Sequence, residues 1–359
     1  MAITRTVVVT FLAVTLFAAV AVSRARASAY EQLVKQAGSE MAKKSGKLLV
    51  SFEWPARDTK KVFPAFKKAF PFVKDIRYER IHSVSPHQRM LIEIQQGTTP
   101  KFDIMGISSE LRGQYKTLGL LVKPPFEYKA LASSLPSDWP ALDDRSVDPQ
   151  GYFIATTGLA RGNAWNPQMV PKGKEPTTWE ACLDPMWKGK VLFDPRNKMQ
   201  SLQHDPRTRE QFLKWLKGMV KNGAVLNRGQ TENLQKIAGG EFAMACGINY
   251  HSTFRMIDRG APLKFAFPDP IPLDIGTEIY TTKWSKTQAT GQLFGVWLAT
   301  GGQDIVEQTA YRGFPWNKTS RKYPLAKGKY VAVCDAECVL KQEFYDKEFG
   351  DILNLPGVR

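Results

Sequence analysis

Residues 234–262, LQKIAGGEFAMACGINYHSTFRMIDRGAP, decide the fold, because three of their pieces need one another. Leu234 and Ile237 predict the inner face of a helix that stops at Gly239-Gly240, where glycine can take up a left-handed cap. Residues 241–247, rich in Phe, Ala, Met and Cys, then read as a short buried strand. Asn249, Tyr250 and His251 follow at its end, and a helix-like run closes on Gly260, Ala261 and Pro262. Polar side chains at such a strand end face a ligand more often than a core, so these three are the first candidate binding residues.

The order "small residues, Gly-Glu, apolar strand, Tyr, helix, Arg-Gly-Ala-Pro" resembles a segment of the bacterial extracellular solute-binding proteins, the receptors of ABC importers. Working outward, GTTPKFDIMG (97–106) followed by LGLLV (118–122) resembles a strand and turn of that family. PTTWEACLDPMWKGKVLFD (176–194) resembles its Pro-x-Thr-Trp signature closely, with Ala181 where the family usually has an acid. TQATGQLFGVWLA (287–299) resembles its long apolar helix. The resemblance implies an α/β fold of the two-lobed, type 2 periplasmic-binding-protein kind with two hinge crossings. Residues 28–157 plus 272–320 would form the first lobe, 158–271 the second, and 321–359 a tail packing on the lobes. The crossings would be GYFIATTGLARG (151–162) and DIGTEIY (274–280).

Read on their own periodicity, residues 46–52 are a buried strand ending at Glu53, Trp54 and Pro55; Asp58 or Thr59 caps the next helix. Residues 75–81 alternate as a second strand, so the chain starts as strand, helix, strand. A helix over 87–96 and a strand over 102–107 follow, the latter leading to Ser108 and Ser109. Free backbone N–H groups at such a helix start attract anions.

The chain has 359 residues, 43% hydrophobic and 23% charged, enough for two cores. Arg5, an apolar run over 6–22 and Ala25-Arg26-Ala27 read as a secretory leader, residues 1–27, cut before Ser28. An uncleaved anchor is the other reading of that run; export holds either way, and the periplasm of a Gram-negative cell is the expected destination. Loss of the leader removes three arginines and no acid, so the formal charge of +16 becomes +13. The lysines are spread over amphipathic helices, such as Lys60-Lys61 and Lys67-Lys68 opposite Val62, Phe63, Phe66 and Phe70, which favours a solvated face over a nucleic-acid partner. Cys334 and Cys338 are spaced to close a small disulfide loop, whereas Cys182 and Cys246 stand alone and Cys246 reads as a small buried residue.

Gly-x-Ser-x-Gly, P-loop, Gly-x-Gly-x-x-Gly and His-Glu-x-x-His motifs are all missing, which leaves catalysis little to stand on, and no cofactor is expected. The expected ligand contacts are Glu53, Trp54, Ser108, Ser109, Thr157, Arg161, Arg196, Asn197, Asn249, Tyr250 and His251, with Glu278 a weaker candidate. Core packing is an equal reading for Trp54, and a surface salt bridge for Arg161. In iron(III)-binding relatives two successive tyrosines stand where this chain has Tyr250 and His251, and a carboxylate or His ligand stands where it has FDIMGISSE (102–110). These departures argue against ferric iron, although Tyr250, His251 and Glu53 would be tolerable ligands and ferric iron is the alternative cargo to a small polar or anionic solute. The resemblance further implies permease and ATPase subunits as partners and a monomeric receptor.

Overall fold

The computed structural model describes residues 27–81, 84–107 and 111–355. The leader up to residue 26, together with Ser108 and Ser109, lies outside the described residues. No helix among them is long and apolar enough to cross a membrane.

Among the described residues ten strands order the chain: β1 (Lys47–Ser51), β2 (Asp75–Tyr78), β3 (Ile104–Gly106), β4 (Phe153–Trp165), β5 (Val191–Phe193), β6 (Val225–Leu226), β7 (Met244–Asn249), β8 (Lys264–Ala266), β9 (Ile271–Tyr280) and β10 (Val331–Cys334). They run β2-β1-β3-β9-β4-β7-β5-β6, with β10 beside β9 and β8 beside β4. The turnover point is inside β4. Its Phe153–Ala160 half pairs antiparallel with β9, and from Arg161 onward its partners are β7 and β8. One continuous strand thus leaves the first sheet and enters the second, and β9 returns alongside it.

Helices close both faces of each sheet, as buried parallel strands require. In the first lobe Leu48, Val50, Phe52, Phe66 and Phe294 form one core and Met105, Tyr115, Phe153 and Tyr280 another. In the second lobe Trp179, Phe193, Trp215 and Met244 lie on one side and Leu192, Ala245, Ile248 and Phe267 on the other. The helix Gln288–Ala299 is buried along nearly its whole length, because it has no polar face and sits under β4. Gly295 is needed there: a Cβ would meet Ile154 Cγ2 at 2.6 Å. Ser28 caps the first helix, Ala29–Lys43, in a capping box with Glu31. Ala332, Phe349 and Leu353 from the C-terminal segment join the second-lobe core.

Boundaries moved where local turns won. The strand expected over 241–247 is β7, Met244–Asn249, because the Glu241 N–H still donates to Lys236 O in the helix C-cap and the ladder begins three residues later. The cysteine reading needs a larger correction. Cys182 and Cys246 do not stand alone but form a disulfide, joining the turn Glu180–Leu183 to the middle of β7 across 64 residues. Sequence spacing could not show this, since the fold brings the two together. Cys334 and Cys338 form the second disulfide.

Candidate functional site

The end of β1 and the end of β7 face each other across the crossing strands. After β1, Phe52 and Trp54 turn into the core and Glu53 stays partly exposed. The Trp54 indole N–H donates to Thr277 Oγ1 (2.6 Å), the Thr157 hydroxyl approaches the same oxygen (3.2 Å), and Thr277 donates to Glu53 Oε1 (3.0 Å). Thr277 sits at φ 49°, a conformation costly for a β-branched residue and found where a site fixes a side chain. Trp54 and Thr157 are therefore scaffold: fully buried, they aim Glu53 rather than present themselves.

On the second lobe, β7 needs Gly247 at φ 68°, where a Cβ would strike Met199 Cε at 2.9 Å. The Asn197 amide donates to Gly247 O (2.7 Å), which makes Asn197 a buried brace for the strand end. Arg196 turns outward, with its guanidinium against Asp194, because the Asp194–Asn197 turn closes on itself as a surface turn.

Asn249 and His251 remain at the gap. Arg161 lies opposite Asn249 in the β4–β7 register, and its Nη1 is 2.5 Å from Asp274 Oδ2 on β9. Arg312, whose carbonyl accepts from Gly158 N–H, brings Nη1 to 3.8 Å from Glu53 Oε1. Arg255 on the helix Tyr250–Ile257 reaches Asp58 Oδ2 of the first lobe at 3.3 Å. Several buried atoms here have no hydrogen-bond partner among the described residues: Arg161 Nε, Arg312 Nε, His251 Nδ1, Asn249 Oδ1 and Asp274 Oδ1. Burying such groups unpaired costs about 1–3 kcal/mol each, so their gathering at one place makes this the candidate site. The imidazole of His251 is held well below its usual pKa by burial and then by Arg312, Arg255, Lys322 and Arg161.

Tyr250 does not belong to this set. Its ring stacks on Phe254 and Phe267, its hydroxyl donates to Glu307 Oε1 (3.1 Å), and Lys322 Nζ lies 4.2 Å from the ring centre. Burial and the Glu307 charge raise its pKa, the opposite of what a phenolate ligand needs. The chain enters the helix at Asn249, so successive side chains splay apart; Tyr250 goes to the core and His251 to the gap. Glu278 is occupied by Arg112 and Tyr280. Arg112 also lines a separate cavity of about 360 Å³ between the first lobe and Val339, Leu340 and Asp346. Its main charges are already paired, Arg112 with Glu278 and Asp346 with Lys198.

A family model described as bacterial extracellular solute-binding protein matches residues 61–323. The chain belongs to this family. It is a solute-binding protein, and among solved structures it is similar to iron-bound HitA from Pseudomonas aeruginosa, at 16% identity and a TM-score of 0.61, over 85% of this chain and 99% of that one. It is also similar to the substrate binding protein of the ABC transporter from Agrobacterium tumefaciens (13%, TM-score 0.62, 86% and 95%). A third is the periplasmic binding protein AfuA from Actinobacillus pleuropneumoniae with fructose-6-phosphate bound (18%, TM-score 0.57, 86% and 99%). At these identities the likeness is one of fold, two-lobed and α/β. Comparison with curated proteins gives no match.

Sequence reasoning missed Asp274, Arg312, Arg255 and Asp58. Asp274 carried a signal, as the first charge on the expected return crossing; Arg312 carried none, being one of 50 basic residues.

Proposed function

We propose that this solute-binding protein captures a small polar anion in the gap between its lobes and delivers it to the permease and ATPase subunits of an ABC importer. The observation that carries the reading is the pair of unpartnered Nε donors of Arg161 and Arg312 beside a histidine whose pKa the nearby cations depress. An acidic group placed there would take charge-assisted hydrogen bonds, each contributing about 1.5–3 kcal/mol when desolvated. Closure would bend the crossing strands β4 and β9, which connect the two cores. The protein works as a monomer in the periplasm after loss of its leader, binds no nucleic acid, and turns nothing over: His251 has cations rather than a carboxylate to orient it, so it is poorly suited to act as a base.

Ferric iron is the weaker cargo. The Tyr250 phenol is committed to Glu307, and a trivalent cation would meet Arg161, Arg255 and Arg312. The test is a thermal-shift screen of metabolites, since a ligand of the folded state raises the midpoint by mass action. Stabilisation by organic anions is expected; stabilisation by Fe(III) alone would reverse the assignment.

A further inference from the structure

The unpartnered atoms in the gap are of two kinds, and the pairing of kinds restricts the solute further than its charge. Arg161 is more than nine-tenths buried, and its Nε has no acceptor. Its immediate neighbour Asp274, in contact through Oδ2, keeps Oδ1 buried and without a donor, and Asn249 Oδ1, across the β4–β7 ladder from Arg161, lacks one too. A bare anion would satisfy the guanidinium and leave the Asp274 acceptor unpaired, with its own charge pressed against that carboxylate.

Resting on the anion reading, we infer that the solute carries a hydroxyl group next to its acidic group, with the acid taken by Arg161 and Arg312 and the hydroxyl donating its one hydrogen to Asp274 Oδ1. Asp274 is then the specificity-determining residue. It repels an anion that brings no donor, because a site built around a buried acceptor rejects the analogue lacking the matching hydrogen. A carboxylate and a phosphate share this chemistry, so each needs its own matched pair.

The experiment is calorimetric titration of the full-length exported protein with L-malate against succinate and with glycerol 3-phosphate against propyl phosphate. L-Aspartate is included as the variant whose donor is an ammonium. Wild type should favour the hydroxylated member of at least one pair by about 10- to 100-fold, the effect of one buried group left unpaired. Asp274→Ala should erase that preference and bind the plain anion as tightly as wild type or better, while Arg161→Met loses both members. Equal binding of the two members by wild type would overturn the hydroxyl inference and leave the anion site standing. Preference for aspartate over malate would replace the hydroxyl with an ammonium and equally overturn it. Failure of every anion to bind at millimolar concentration would overturn the anion site itself. Circular dichroism of the variants separates loss of binding from loss of fold.

Discussion

Removing the Cys182–Cys246 disulfide should destabilise the second lobe selectively, and by more than removing the other one. The bond links residues 64 apart, against 4 apart for Cys334–Cys338. In the chain-entropy account, closing the longer loop contributes about 4 kcal/mol and the shorter about 2 kcal/mol. Cys182 and Cys246 are also 0% and 1% exposed, so Cys182→Ala with Cys246→Ala adds the cost of an unfilled space between Trp179 and Phe193 neighbours. Equilibrium urea unfolding followed by tryptophan fluorescence is the assay, because Trp165, Trp179, Trp187 and Trp215 all report on that core. The double variant should unfold its second lobe in an earlier, separate transition, a departure from two-state behaviour that wild type lacks. Cys334→Ala with Cys338→Ala should shift the curve by about half as much. Equal shifts, or a cost below about 1 kcal/mol for the 182–246 pair, would refute the reasoning that this bond pins β7 to the start of the lobe.

Two further outcomes follow from buried charged partners and a third from a left-handed glycine. Lys322 is 0% exposed, and burial lowers its pKa from 10.5 to about 8 against the opposing pull of Glu307. Between those two values the unfolded chain binds the extra proton, so stability should rise with pH by roughly 1 kcal/mol per unit, and Lys322→Met should flatten that slope in denaturation curves at pH 8 and 10. Tyr250→Phe should cost about 1–2 kcal/mol of stability by leaving Glu307 Oε1 one donor short, while solute affinity by calorimetry changes less than about threefold. Gly247→Ala should cost more, because the residue is left-handed and its Cβ would displace Met199; thermal melts should show it as the least tolerated substitution at the β7 end.

The scaffold was legible where periodicity and caps are local. The helix Gln230–Ala238, its glycine cap and β7 follow from Leu234, Ile237, Gly239 and a run of small apolar residues, and the two crossings follow from the family resemblance and their β-rich composition. The direction in which a side chain leaves its element was not legible. Tyr250 and His251 are adjacent in sequence, yet the turn from strand to helix sends one to the core and the other to the gap. Trp54 and Asn197 lie at strand ends, but the hydrogen bonds that make them supports are to Thr277 and Gly247, partners far along the chain. The same distance hid the Cys182–Cys246 bond, and with it Asp274 and Arg312, whose meaning comes only from facing Arg161 and Glu53.

The central claim is that Arg161 and Arg312, set at the junction of the two sheets, hold the acidic group of the solute. It is tested most directly by calorimetry on wild type, Arg161→Met and Arg312→Met with the best anion from the thermal-shift screen. Each substitution should weaken binding by about 10- to 100-fold, with the far-ultraviolet spectrum unchanged. Affinity unaltered in both variants would contradict the account.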